Sequence, residues 1–196
     1  MSSMHTPELS GARTRATDAP GLARLHRAMR GEHEALASLN TDDLLALLHR
    51  EAGTQTLRLA CCDIAERVLP VFTARFPHDG RPAAYIEAVR AGNPRVFSAA
   101  YPELRDLDRH FSLIRGATHL DTAVSYALHT LFDLGMGRPT SALYSVPMFS
   151  LWAIELAVMA GVGPWTGTGR DIRDAERAWQ TEHLRHKLVH VRMSAQ

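Results

Sequence analysis

Apolar positions recur along this chain at steps of three and four, and no stretch alternates apolar and polar residues long enough to demand a strand. The pattern predicts an all-α fold, a single-domain multi-helix bundle of roughly seven helices. The clearest helix runs from Thr54 to Phe76. Leu57, Cys61, Ile64, Ala65, Val68 and Phe72 share one face of it, while Asp63 and Glu66 are expected to point away. Pro70 should bend this helix, because its ring removes one backbone bond and crowds the preceding turn. Upstream, one helix is expected over 22–39, and a short second one behind Asn40 and Thr41, with Asp42 and Asp43 at its positive end and Gly53 near its close. Downstream, Asp79-Gly80-Arg81-Pro82 restarts the chain into a helix reaching Arg90, and Gly92-Asn93-Pro94 ends it. Pro102 divides 95–116 and leaves Glu103 to Arg115 as the helical part. Thr118 can cap a helix reaching Gly135, and a last helix is expected from Asp171 to Val191.

The bundle is expected to surround one apolar helix near residues 140–160. From Ala142 to Trp165 the only charged residue is Glu155, a length that could cross a bilayer. Glu155, Pro147, Ser145 and Ser150, with no arginine cluster on the Gly161 side, favour a buried central helix over a membrane span. Residues 1–20 lack periodicity and are expected to be a disordered tail, with 21–196 forming one helical domain.

Composition narrows the class little. A chain of 196 residues buries roughly 70% of its unfolded surface, enough for one core. Net charge is +1 without a block of like charges, so no nucleic-acid partner is expected. Lys187 is the lone lysine among 22 basic residues, the remainder being arginine. Cys61 and Cys62 are helix neighbours pointing about 100° apart, a geometry unsuited to a disulfide. With no secretion-like opening, these features lead to the expectation of a cytoplasmic protein.

Several constellations could carry chemistry, each with a plainer structural alternative. Glu155 shares a helical face with Tyr144, Met148 and Leu151. It would either pair with an arginine or serve as acid, base or ligand anchor in a pocket lined by Tyr144, Met148, Phe149 and Trp152. Thr122, Tyr126, His129 and Asp133 form a polar seam in which Asp133 can orient the His129 imidazole for proton transfer; a solvated surface pair is the plainer reading. His183, His186 and His190 fall in line with Ile172, Ala175 and Trp179. Without an HExxH or Cys/His pattern, a packed or half-exposed stripe is favoured over a metal site. Asp79 and Arg81 read as a structural turn, with Asp79 capping and Arg81 reaching back to the helix of Glu66. The glycines at 161, 163, 167 and 169 follow a helix rather than a strand, which argues against a nucleotide loop and leaves a hinge or lid carrying Trp165. No cofactor fingerprint appears.

The stretch 42–91 reads TDDLLALLHREAGTQTLRLACCDIAERVLPVFTARFPHDGRPAAYIEAVRA. Its Ala65-Glu66-Arg67-Val68-Leu69-Pro70 with Phe72, then Asp79, Arg81 and Pro82, then Ile86-Glu87-Ala88 and Arg90, resembles the all-helical fifth immunity-protein family of bacterial polymorphic-toxin systems. Within 140–191 the likeness is thinner and rests on Glu176 to Gln180 with Leu184. The resemblance implies a helical binding module that sequesters a protein partner such as a toxin. Aromatic side chains would anchor such an interface, with Trp165, Phe97 and Tyr101 in irregular segments as candidates beside Met148, Phe149 and Trp152. Homodimerisation is compatible with it. The chain departs from the family at Gly92-Asn93-Pro94, where a tryptophan is usual, and at Tyr144-Ser145-Val146-Pro147-Met148-Phe149, where the family is rich in alanine and histidine. Those departures motivate the alternative, a small cofactor-independent enzyme of cyclase, lyase or isomerase type. It would take an apolar substrate, with Glu155, Tyr144, His129, Asp133 and Tyr126 as candidate groups.

Overall fold

The computed structural model describes residues 36–92, 106, 109, 118–135 and 140–195. The expected tail, the helix over 22–39 apart from its last residues, Phe97, Tyr101 and most of 103–115 lie outside the described residues. The chain divides into two units between Leu39 and Asn40, and the second, Asn40–Gln196, holds every element named below. Among the described residues the chain is helical, with no strand. In order come α1 (Thr41–Glu66), α2 (Leu69–Arg75), α3 (Arg81–Arg90), α4 (His119–Gly135), a 3-10 segment (Thr140–Ser145), α5 (Val146–Met159) and α6 (Gly169–Ser194).

Side-chain chemistry sets the boundaries. The Asn40 side chain accepts from the Asp43 amide at 2.9 Å, and Asp42 and Asp43 occupy the first turn of α1. Gly53 interrupts α1 with φ 79° and ψ 177°, a conformation that glycine alone adopts readily. The two helices expected on either side of Gly53 are thus both present within α1, meeting at a kink there. Thr118 and Asp121 exchange backbone-to-side-chain bonds at the head of α4, as do Thr168 and Asp171 at the head of α6. At the end of α5, Gly161 takes φ 70° and the Val162 amide donates to Ala157 O, which satisfies carbonyls of the last turn.

Both prolines expected within helices act as starters instead. The helix over 54–76 breaks at Arg67 and Val68, and Pro70 sits in the first turn of α2. Likewise 140–160 is a 3-10 segment followed by α5, with Pro147 in its first turn. A first-turn residue has no intrahelical acceptor for its N–H, so proline loses nothing there.

Helix α5 packs against α4, α6 and α1. Ser150, Ala153, Ile154 and Ala157 are buried along it. The opposing side of α1 is also built from small groups, with Ala60, Cys61, Cys62 and Ala65 fully buried. Small side chains let two helices approach closely, and Ser150 Oγ reaches Ile64 O of α1 at 3.5 Å. All six residues expected on the apolar face of 54–76 are buried. Both thiols are free and inert: burial raises them, Cys62 to about 12.

Residues 142–159 are long and apolar enough to cross a membrane by length and composition, and 44% of that stretch is buried within the fold. The other side of α5 carries Met148 and Met159, 38% and 52% exposed, with Phe149 and Trp152 half-buried. That outward side is where chemistry collects.

Candidate functional site

Helices α4 and α5 run antiparallel, so residue numbers fall on one as they rise on the other, and three pairings form successive rungs. Asp133 takes a side-chain hydrogen bond from Ser145. One turn on, the His129 ring stacks on Phe149 with centroids 5.2 Å apart. On the next rung Tyr126 meets Trp152 edge to face at 5.1 Å. Phe149 ties the two aromatic rungs together, lying 6.0 Å from Tyr126 and 5.8 Å from Trp152. Phe132 adds an edge against His129 at 6.3 Å. Ser145, Phe149, Trp152, Tyr126, His129 and Asp133 are all half-buried, with exposed Met148 beside them. The polar seam of α4 thus meets the aromatic side of α5, and the enzyme alternative had grouped residues of both.

Burial pushes the Asp133 carboxyl up to about 6, against smaller opposing effects of His129 and the Ser145 hydrogen bond. The folded carboxyl keeps its proton up to that value, whereas an unfolded one releases it near 3.8. Between those limits the folded state binds more protons, so stability falls as pH rises through the window and stays reduced above it. Asp133→Asn is therefore expected to be more stable than the parent at neutral pH, by about 1–3 kcal/mol, and equal to it near pH 4. Urea unfolding of both proteins at the two pH values checks this.

A second constellation joins α1, α3 and α6. Glu176, 2% exposed, receives Arg67 Nε at 2.8 Å and Arg67 Nη2 at 2.7 Å. Gln180, equally buried, donates Nε2 to Pro147 O at 3.1 Å and to Glu176 Oε1 at 3.3 Å. The Arg67 guanidinium lies 4.0 Å from the Trp179 ring centre, and His183 stacks on Trp179 at 5.0 Å. Asp63 faces Lys187 Nζ at 2.8 Å, Arg90 Nη2 at 3.0 Å and His183 Nε2 at 3.1 Å. Partial burial opposes ionisation of Asp63, but the hydrogen bonds and charges of His183 and Lys187 outweigh it and hold the carboxyl well below its usual range. Arg90 also binds Glu66 and Glu87. Each carboxylate of this cluster meets an arginine or lysine, which gives it the character of a clasp between helices rather than of an open site.

The remaining candidates separate from the rungs. Glu155 is engaged by Arg173 of α6, with Arg173 Nε 2.9 Å from Glu155 Oε2. That is the ion pair named as its plainer reading. Tyr144 is raised by burial and by Cys61, which places it toward α1. Asp79 pairs with Arg81 at 2.6 Å and accepts from the Arg81 amide, and the Arg81 hydrogen bond lowers its carboxyl. The expected link from Arg81 back to Glu66 is replaced by Arg90, which stands within reach across α3. A Cβ on Gly163, at φ 89°, would lie 2.2 Å from the Trp165 ring, so Trp165 folds down onto its own loop.

The histidine stripe is half-exposed rather than packed. The buried seam of α6 is Ile172, Glu176, Gln180, Leu184 and Leu188, while Ala175, His186 and His190 are exposed and His183 is half-buried. Among the described residues no three His, Cys, Asp or Glu side chains gather as a metal site. Asp63 was likewise expected to point away, and instead lies half-buried among cations.

Sequence spacing missed the pair Glu176 and Gln180. The available signal was the four-residue step from Ile172 to Leu188, in which two polar residues occupy core positions. Comparison with protein-family models, with curated proteins and with solved structures finds no match to this chain.

Proposed function

We propose that this protein is an immunity-like helical binding module that sequesters a protein partner such as a toxin, and that the α4–α5 edge is its contact face. The observation that carries the reading is the aromatic ladder. Tyr126, His129, Phe149 and Trp152 lie half-buried in mutual ring contact, with Met148 exposed beside them. Aromatic and methionine side chains that keep one face toward solvent are the usual energetic anchors of protein interfaces. The residues behind the immunity-family resemblance supply support of another kind. Glu66, Arg67, Arg90, Glu176, Trp179 and Gln180 come from two distant stretches of sequence and join in one clasp. Their role in this reading is to hold the scaffold, which leaves a different surface free to recognise the partner.

The test is capture of the cognate partner from the native host with the full chain. Wild type is expected to retain a stoichiometric protein, and Phe149→Ser with Trp152→Ser to lose it while the variant still unfolds cooperatively. Equal retention by both chains would remove the α4–α5 edge as the contact face.

A second reading, a small cofactor-independent enzyme acting on an apolar substrate, draws on one observation. Asp133 keeps its proton up to about 6 beside the His129 imidazole, a pairing suited to general acid–base work. Arg173 occupies Glu155, so Asp133 takes the acid role in that version.

A further inference from the structure

We propose that Asp133 and the aromatic rung of His129 and Phe149 anchor an arginine side chain of the protein partner, an inference that rests on the binding reading above. Every other carboxylate that is half-buried or deeper among the described residues has its charge met. Asp63, Glu66, Asp79, Asp121, Glu155 and Glu176 each have an arginine or lysine nitrogen within 3.5 Å. Asp43 lies in the first turn of α1, at the positive end of the helix. Asp133 has a hydroxyl from Ser145 and the nearby imidazole of His129, and no arginine or lysine among the described residues reaches it. Among the described residues, that omission stands out.

A desolvated carboxylate without a cation costs the free chain stability. The cost is recovered when a cation arrives from outside. A guanidinium fits this edge better than an ammonium. Its planar fork can give two parallel N–H bonds to the carboxylate while its face lies on an aromatic ring. The stacked His129 and Phe149 rings provide that surface one turn away. Geometry also favours a side chain over a free small cation. The rings touch one another, with centroids 5.1 to 6.0 Å apart, and so form a wall rather than a cage. A free cation would be held from one side only, whereas an arginine delivered by a partner adds the contacts of the rest of the interface.

N-acetyl-L-argininamide, titrated into the full chain and followed by the Trp152 indole and His129 ring signals in NMR spectra, tests the anchor. Saturable shifts are expected with wild type, at least about tenfold weaker binding with Asp133→Asn, and none with the neutral citrulline counterpart. Asp133→Asn is expected to melt no lower than wild type, so weakened binding is not unfolding. Affinity for the captured partner should fall by a similar factor in the same variant. Argininamide binding unchanged by Asp133→Asn, or absent from wild type, would overturn the anchor. A partner lost with Phe149→Ser and Trp152→Ser but indifferent to Asp133→Asn would overturn the anchor and leave the binding reading standing. Argininamide bound at Asp133 with no partner ever captured would remove both.

Discussion

Arg67→Ala is expected to destabilise the fold by about 3–5 kcal/mol, the range for breaking a buried ion pair from one side. The asymmetry of the pair decides this. Glu176 is 2% exposed, and two of its hydrogen bonds come from Arg67, whereas the Arg67 side chain retains 30% exposure. Losing the arginine leaves a charged group in the core with Gln180 Nε2 as its remaining donor, and Gln180 is shared with Pro147 O. Trp179 also loses the guanidinium lying against its ring. The double variant Arg67→Met with Glu176→Leu should recover most of the loss, because two apolar side chains of similar volume need no mutual charge. Denaturant unfolding of the four proteins of this cycle measures the coupling. A single variant within about 0.5 kcal/mol of wild type would mean that Glu176 finds other solvation and that the clasp adds little.

Ile154→Ala should cost about 2–5 kcal/mol, while Met159→Ala should change stability by less than about 0.5 kcal/mol. The two residues lie on one apolar helix yet differ in burial, with Ile154 fully enclosed and Met159 52% exposed. Hydrophobicity alone would rank them alike. The difference comes from the small groups flanking Ile154, since Ser150, Ala153 and Ala157 let α1 and α5 close around it and leave little room for relaxation after truncation. Thermal or urea unfolding of the two variants reads the orientation of α5 directly. Similar losses from both would place the helix symmetrically in the core and remove its outward side as a surface.

Helical periodicity carried the fold well wherever the apolar residues were also the buried ones. Leu57, Cys61, Ile64, Ala65, Val68 and Phe72 are such a case. It failed on α6, where Glu176 and Gln180 are buried and the Trp179–His183 side is partly open, because a charge met by a partner distant in sequence reads as surface. Pro70 and Pro147 were both placed inside helices, Pro70 as a bend, whereas each opens one, since spacing does not show where the preceding turn has already ended. The α4–α5 site was legible in halves. Tyr126, His129 and Asp133 fell on one seam and Phe149 and Trp152 on one helix, but their meeting depends on an antiparallel register that no local pattern encodes. Glu155 drew notice as a lone carboxylate among apolar residues, and its partner Arg173 was one of many arginines that could have met it.

Oxidative footprinting of the full chain, free and bound to its captured partner, bears most directly on the α4–α5 edge as the recognition face. Met148 and Trp152 should be modified in the free protein and protected in the complex, with Trp179 and Met159 little changed between the two states. Protection that instead falls on Trp179 and His183, with Met148 and Trp152 reacting equally in both states, would contradict it.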